Sequence, residues 1–222
     1  MSATPRPLSP VAALNRLARA GADWPAPALE VVARSAGDPY AVLVGTVLSL
    51  RTRDAVTLPA TRRLLALTPD AASLAAADEA AIAEAIRPVA FHRVKAGQLR
   101  GIGAMLLAEW NGAVPRTLVE LLRLPGVGRK TANLTLGLGH GLPAVCVDVH
   151  VHRIANRLGW LTSRTPDETE ALLCEKIPRR HWLRINALLV PFGQVLCRPQ
   201  SPHCSRCPLA RHCPRHGVAR SR

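Results

Sequence analysis

Apolar residues recur at helical spacing along almost the whole chain, and helix-start signals divide the pattern into segments. Asp38 and the proline after it combine an N-cap residue with a first-turn proline. Thr117 and Glu120 form a capping box, and the same pattern recurs further along. The one strand-like run, 144–147, is too short to build a sheet, so we expect an all-α fold. The predicted helices cover 11–20, 40–50, 57–67, 71–86, 95–110, 150–158 and 171–177.

The chain carries a strong excess of positive charge. Over 222 residues it has 29 Lys and Arg against 15 Asp and Glu, a formal net charge of +14. Such an excess predicts a polyanionic partner, with nucleic acid the first candidate and an anionic membrane surface the second. There is no apolar run of about 18 residues and no N-terminal signal pattern. We therefore expect a cytosolic protein that does not enter a membrane.

Four of the six cysteines are closely spaced near the C-terminus, in the pattern C-x6-C-x2-C-x5-C. They are Cys197, Cys204, Cys207 and Cys213. In the cytosol, cysteines at this density are more often metal ligands than disulfides. The spacing alone leaves structural zinc and an iron–sulfur cluster equally open. The basic tail that follows, 214–222, is expected to be disordered.

The stretch LPGVGRKTAN places a glycine turn between two helical segments. Gly126 and Gly128 allow turn conformations closed to other residues and leave the backbone amides uncovered. The positive end of the following helix adds to an anion-binding site. With Arg129 and Lys130 next to it, the turn is more typical of one that binds a DNA phosphate than of an ordinary turn between packed helices.

Together, LPGVGRKTAN, VCVDVHVHRIANR and the cysteine spacing resemble the endonuclease III family of the helix-hairpin-helix DNA glycosylase superfamily. The resemblance extends over about 38–213. It implies two helical domains that flank a DNA-binding cleft. One is a helical barrel with the helix-hairpin-helix motif, 29–141; the other, 1–28 with 142–222, carries a [4Fe–4S] cluster. The family thus favours the cluster over zinc, with the four cysteines as ligands.

The resemblance also implies the activity. Members of this family remove damaged pyrimidines from duplex DNA and then nick the backbone. Lys130 matches the nucleophile, which forms a Schiff base with the sugar and permits β-elimination. Asp148 matches the essential carboxylate, although an aspartate just before a helix is also a favoured N-cap. The DNA contacts implied by the family lie at Gly126, Val127, Gly128, Arg129 and His150.

Two positions depart from the family pattern. Arg51 stands where the family usually has a glutamine that fills the gap left by a flipped base. Arginine has no acceptor and is always charged, so it would contact the unpaired base differently. Phe91 stands where the family usually has a leucine wedge, and the larger ring can still intercalate. We therefore predict that the chemistry is retained and that either the substrate range or the efficiency on duplex DNA is altered.

The leading hypothesis is a base excision repair DNA glycosylase and AP lyase acting on oxidised pyrimidines. Its partner is double-stranded DNA with a damaged pyrimidine or an abasic site, and it acts as a cytoplasmic, nucleoid-associated monomer. One alternative is a monofunctional adenine or mismatch glycosylase, although those families usually lack the lysine at position 130. The other is a weakly catalytic cluster-containing DNA-binding protein, which the altered wedge residues keep open.

Overall fold

The computed structural model describes residues 6–222, and every regular element in this part of the chain is a helix. The all-α prediction is confirmed. No helix in this part of the chain is long and apolar enough to cross a membrane. The α-helices of residues 6–222 are, in chain order, α1 Pro10–Ala20, α2 Ala28–Ala36, α3 Pro39–Ser49, α4 Asp54–Leu67, α5 Ala71–Ala76, α6 Glu79–Ala85, α7 His92–Trp110, α8 Leu118–Leu121, α9 Arg129–Leu134, α10 Val149–Arg157, α11 Pro166–Lys176 and α12 Trp182–Val195.

The chain divides into two compact units. The central unit is Pro27–Ala144, and the terminal unit joins the described residues up to Ala26 to Val145–Arg222. These limits differ by a few residues from the domain limits of the sequence analysis. The central unit therefore contains α2 to α9, and the terminal unit contains α1 with α10 to α12.

Helix α3 is the buried centre of the central unit. It packs against α2, α4, α7 and α9, and also against a π-helical turn, Thr135–Gly139, that continues α9. Its segment is apolar on every side, as a helix surrounded by other helices requires. As predicted, Asp38 caps its first turn by accepting a hydrogen bond from the Tyr40 N–H. The C-terminal end of α3 leads into the turn that carries Arg51.

The predicted helical segment 71–86 is interrupted. Asp70 caps α5 and Asp78 caps α6, each by accepting a hydrogen bond from a backbone N–H three residues ahead. An aspartate that bonds its own backbone favours a new helix start over continuation of the previous helix. The Ala- and Leu-rich pattern predicted one continuous helix, so Asp78 was not predicted as a second N-cap.

In the terminal unit, α12 packs against α1 and α10 around a second hydrophobic core. Phe192 of α12 is fully buried and stacks on Trp24 with ring centroids 5.7 Å apart. The tail 214–222 is ordered against the loop of residues 197–213 that carries the four cysteines, here called the cysteine loop, contrary to our expectation. The Arg222 N–H donates to the Pro202 carbonyl at 2.9 Å, and the Ser205 N–H donates to the Arg222 carbonyl at 2.8 Å.

Candidate functional sites

The glycine turn connects α8 to α9 in the central unit. Val127 is buried in the core, and its N–H donates to the Leu124 carbonyl at 3.1 Å, which closes the turn. Gly126 has a φ of 71°, and a Cβ there would lie 2.6–2.8 Å from the amide group of Gln98. Gly128 does not share this conformation: its φ is −99°, and a Cβ added there would meet no atom within 4 Å. The turn geometry therefore does not require glycine at position 128.

This difference predicts opposite results for two matched substitutions. Gly126→Ala should lower the free energy of unfolding by about 1 kcal/mol or more, because alanine resists a positive φ and meets Gln98. Gly128→Ala should maintain thermal stability or raise it by up to about 1 kcal/mol, because alanine adopts this backbone conformation freely. It should weaken binding to duplex DNA, because a methyl group would cover the backbone amides of the exposed turn. Thermal melts and DNA titrations of both variants test this. Equal effects of the two variants on both measurements would contradict it.

Lys130 is the second residue of α9 and is partly buried. The whole chain has only three lysines. Lys95 is 4% exposed in the central unit, and its ammonium group donates to backbone carbonyls. Lys176 is exposed in the last turn of α11 in the terminal unit. Few amines other than Lys130 are therefore available for covalent chemistry.

Arg51 and Phe91, forty residues apart in the sequence, lie next to each other at the surface of the central unit. The Arg51 guanidinium carbon lies over the Phe91 ring, 5.6 Å from its centroid, and Phe91 is 59% exposed. Both residues have positive φ angles, 55° and 59°. Residues with side chains rarely adopt this conformation, so the surrounding contacts must hold both turns. Sequence reasoning singled out each residue but not their contact.

Asp148 is the N-cap of α10 in the terminal unit. Its Oδ1 accepts hydrogen bonds from the N–H groups of His150 and Val151, both at 2.9 Å. His150 Nδ1 lies 3.1 Å from an Arg153 guanidinium nitrogen. Because guanidinium only donates, Nδ1 is the acceptor, and this assigns the ring hydrogen of neutral His150 to Nε2. A side chain on Gly193 of α12 would collide with His150, so that glycine makes room for the imidazole ring.

Two arginines fasten α10 to the cysteine loop. Arg153 donates to the Cys197 carbonyl at 2.9 Å. Arg157 is buried and donates to the carbonyls of Arg198 and Pro199, both at 2.6 Å, and its Nη1 lies 3.6 Å from Cys197 Sγ. The sequence analysis did not predict these anchors. Their four-residue spacing, which places both on one face of the helix that follows Asp148, was the available signal.

The four cysteines predicted as ligands line one pocket together with Arg157 and Val218. Burial, reinforced by the other three thiols, raises the pKa of Cys207 to about 11. Burial also raises the pKa of Cys213, with a smaller contribution from Cys197 and Cys204. The Leu209 N–H donates to Cys207 Sγ at 3.4 Å. Within residues 6–222 no three His, Cys, Asp or Glu side chains converge on a single-ion position. Four thiols around one pocket, with an N–H donor to sulfur, fit the ligand set of a [4Fe–4S] cluster.

Comparison with known proteins places the chain in a family. Residues 44–179 match the model of the HhH-GPD superfamily base excision DNA repair protein. Endonuclease III of Thermotoga maritima is 46% identical over 176 residues, which cover 79% of this chain and 83% of that protein. The chloroplastic endonuclease III homolog 2 of Arabidopsis thaliana is 43% identical over 186 residues, and the match covers 79% of this chain but 48% of that protein.

The fold agrees with the sequence match. A solved structure of a trapped covalent intermediate between endonuclease III and DNA matches with a TM-score of 0.81 at 35% identity. The match covers 90% of this chain and 92% of the solved one. The chain therefore belongs to the endonuclease III family of the HhH-GPD superfamily, and it is a base excision repair DNA glycosylase and AP lyase.

Proposed function

We propose that this protein excises oxidised pyrimidines from double-stranded DNA and cleaves the resulting abasic site, with Lys130 as the nucleophile. The observation that carries this proposal is a partly buried lysine two residues after the exposed Gly128. Lysine amines are scarce in this chain. Of the other two lysines, Lys95 is buried and donates to carbonyl groups, and Lys176 is exposed in α11.

The chemistry follows from an amine nucleophile. A flipped nucleotide exposes its C1′ atom, which the neutral amine of Lys130 attacks as the bond between C1′ and the base breaks. The electrons of that bond leave with the base, which takes up a proton. The nitrogen then loses a proton, the bond between C1′ and the ring oxygen O4′ breaks as O4′ takes up a proton, and the nitrogen lone pair forms the iminium at C1′. The iminium acidifies the C2′ proton, and β-elimination then breaks the bond between C3′ and its phosphate oxygen.

Asp148 is proposed to take the proton from the Lys130 amine, or to stabilise the positive charge that develops on the sugar. Its position as the N-cap of α10 supports this role, because two backbone hydrogen bonds fix the carboxylate. His150, in the first turn of the same helix, is proposed to contact the DNA near the reacting nucleotide.

DNA binding is proposed to use two surfaces of the central unit. The first is the glycine turn, where the amides around Gly128 and the side chain of Arg129 would hold a phosphate. Val127 contributes from the core side by fixing the turn. The second is the adjacent pair Arg51 and Phe91, which would enter the base stack and contact the base opposite the lesion.

A [4Fe–4S] cluster is proposed at the pocket of Cys197, Cys204, Cys207 and Cys213. When bound, it would cross-link the loop that those cysteines share and hold its basic side chains in place. Iron and acid-labile sulfide in equal amounts, lost together in a Cys207→Ser variant, would support this assignment. Zinc alone in the purified protein would contradict it.

The two alternative functions are not favoured. The relatives and the solved structure named above are endonuclease III proteins or homologues, and they favour neither a monofunctional adenine or mismatch glycosylase nor a weakly catalytic DNA-binding protein. Action as a monomer at the bacterial nucleoid remains a prediction.

Replacing Arg51 and Phe91 with the residues usual in the family tests the proposed substrate range. Because arginine offers only donors and phenylalanine is larger than leucine, an Arg51→Gln, Phe91→Leu variant should change the relative rates on different oxidised pyrimidines by about tenfold, or about 1.4 kcal/mol. Single-turnover base removal from matched duplexes, each with one lesion and one opposite base, measures this. Undamaged duplex is the control for nonspecific nicking. Relative rates that stay the same in the variant would refute the proposed role of the pair, and no base removal from any lesion by the wild type would refute the proposed activity.

A further inference from the structure

Lys95 lies in the first turn of α7 with its side chain inside the central unit. It is 4% exposed, and among the ion pairs of residues 6–222 none includes it. Its Nζ donates to the carbonyls of Leu48 at 3.0 Å and Leu50 at 2.6 Å, and lies 3.5 Å from Thr52 Oγ1. Burial lowers its pKa to about 8. A buried ammonium is costly, so a specific arrangement must favour it over an apolar residue.

The acceptors of this ammonium belong to the C-terminal end of α3 and the turn beyond it. Carbonyls at a helix C-terminus lack partners within the helix, and a positive charge there is favourable. The next residue after the Leu50 carbonyl is Arg51, which has a positive φ. The ammonium of Lys95 is therefore bonded to the carbonyl that directly precedes the positive φ of Arg51.

The backbone of the same residue fixes the second turn. The Lys95 N–H donates to the Phe91 carbonyl at 3.0 Å and so closes the first turn of α7 directly after the positive φ of Phe91. The Ala90 N–H donates to Thr52 Oγ1 at 3.3 Å, which joins the two turns a second time. Lys95 thus bonds to the Arg51 turn through its side chain and to the Phe91 turn through its backbone.

We propose that Lys95 is a positioning residue that locks the Arg51 turn to the Phe91 turn, so that duplex DNA meets the two side chains as one preformed unit. This rests on the proposed function, in which Arg51 and Phe91 contact the DNA. Without the lock, both residues would relax from an unfavourable backbone conformation and would have to be ordered again on binding.

The first test observes the lock directly. The chain has two phenylalanines, so labelling with 4-fluorophenylalanine gives one fluorine resonance from Phe91 and one from Phe192 of the terminal unit. Lys95→Met should shift or broaden the Phe91 resonance and leave that of Phe192 unchanged. Arg100→Met is the control, because it removes the same charge from an exposed position of the same helix. An unchanged Phe91 resonance in folded Lys95→Met would overturn the proposal.

The second test measures coupling in single-turnover base removal from a duplex. Lys95→Met and the double variant Arg51→Ala, Phe91→Ala should each lower the rate about tenfold, and their combination should be within about twofold of the double variant. Losses that multiply would overturn the positioning role. A wild-type rate in the double variant would instead refute the proposed DNA role of the pair. If Lys95→Met does not fold, Thr52→Val must move the Phe91 resonance, because it removes the second bond between the turns.

Discussion

Replacing Lys130 with alanine should abolish the covalent adduct with DNA and lower abasic-site cleavage roughly a thousandfold or more. The reason is chemical, because only an amine can form the imine that borohydride reduces to a stable bond. Borohydride trapping on duplexes that contain an abasic site or an oxidised pyrimidine measures the adduct. Trapping of the wild type on both substrates is expected, with none by the variant on either.

Lys176→Ala is the matched control for this experiment. It removes the same side chain from an exposed position of α11, so trapping should equal that of the wild type. Duplex binding by Lys130→Ala should persist and weaken with salt, because the chain retains most of its net charge of +14. An adduct formed by Lys130→Ala would show that another amine is the nucleophile. No wild-type adduct, despite intact binding, would favour the monofunctional or non-catalytic hypothesis.

The sequence predicted the features that depend on neighbouring residues. Asp38 and Asp148 are N-caps because a short acceptor beside a helix start needs only the next two or three amides. Helix α7 also ends at Trp110, where the predicted helix 95–110 ends, and Asn111 adopts a positive φ directly after it. The cysteine spacing belongs to the same group, since a short loop is enough to bring four thiols around one pocket.

Features that depend on residues far apart in the chain were not predicted. Lys95 stands one turn before Leu99 on the buried stripe of α7, where a lysine would ordinarily argue against burial. It is accommodated because α3 ends beside it and supplies carbonyl acceptors, which the sequence of α7 cannot show. The contact of Arg51 with Phe91 has the same origin, since two separate turns must meet before it exists.

Asparagine in place of Asp148 should lower base removal and abasic-site cleavage by about 10²- to 10⁴-fold with little change in stability. Asparagine retains the side-chain oxygen that caps α10 by accepting from His150 and Val151. It is as good an N-cap as aspartate, and only a charge interaction of about 0.3–1 kcal/mol with the helix end is lost. Single-turnover kinetics and thermal melts of the same sample measure the two quantities.

Asp148→Ala separates the two roles of the carboxylate, because it removes the cap together with the charge. Its activity should equal that of the asparagine variant, while its free energy of unfolding should fall by about 1 kcal/mol. Asp167→Asn, an equal charge change at an exposed position in the first turn of α11, is the control and should retain full activity. If the asparagine variant were fully active and the alanine variant impaired in proportion to its lost stability, Asp148 would be a cap alone. Proton transfer would then have to be assigned to another group.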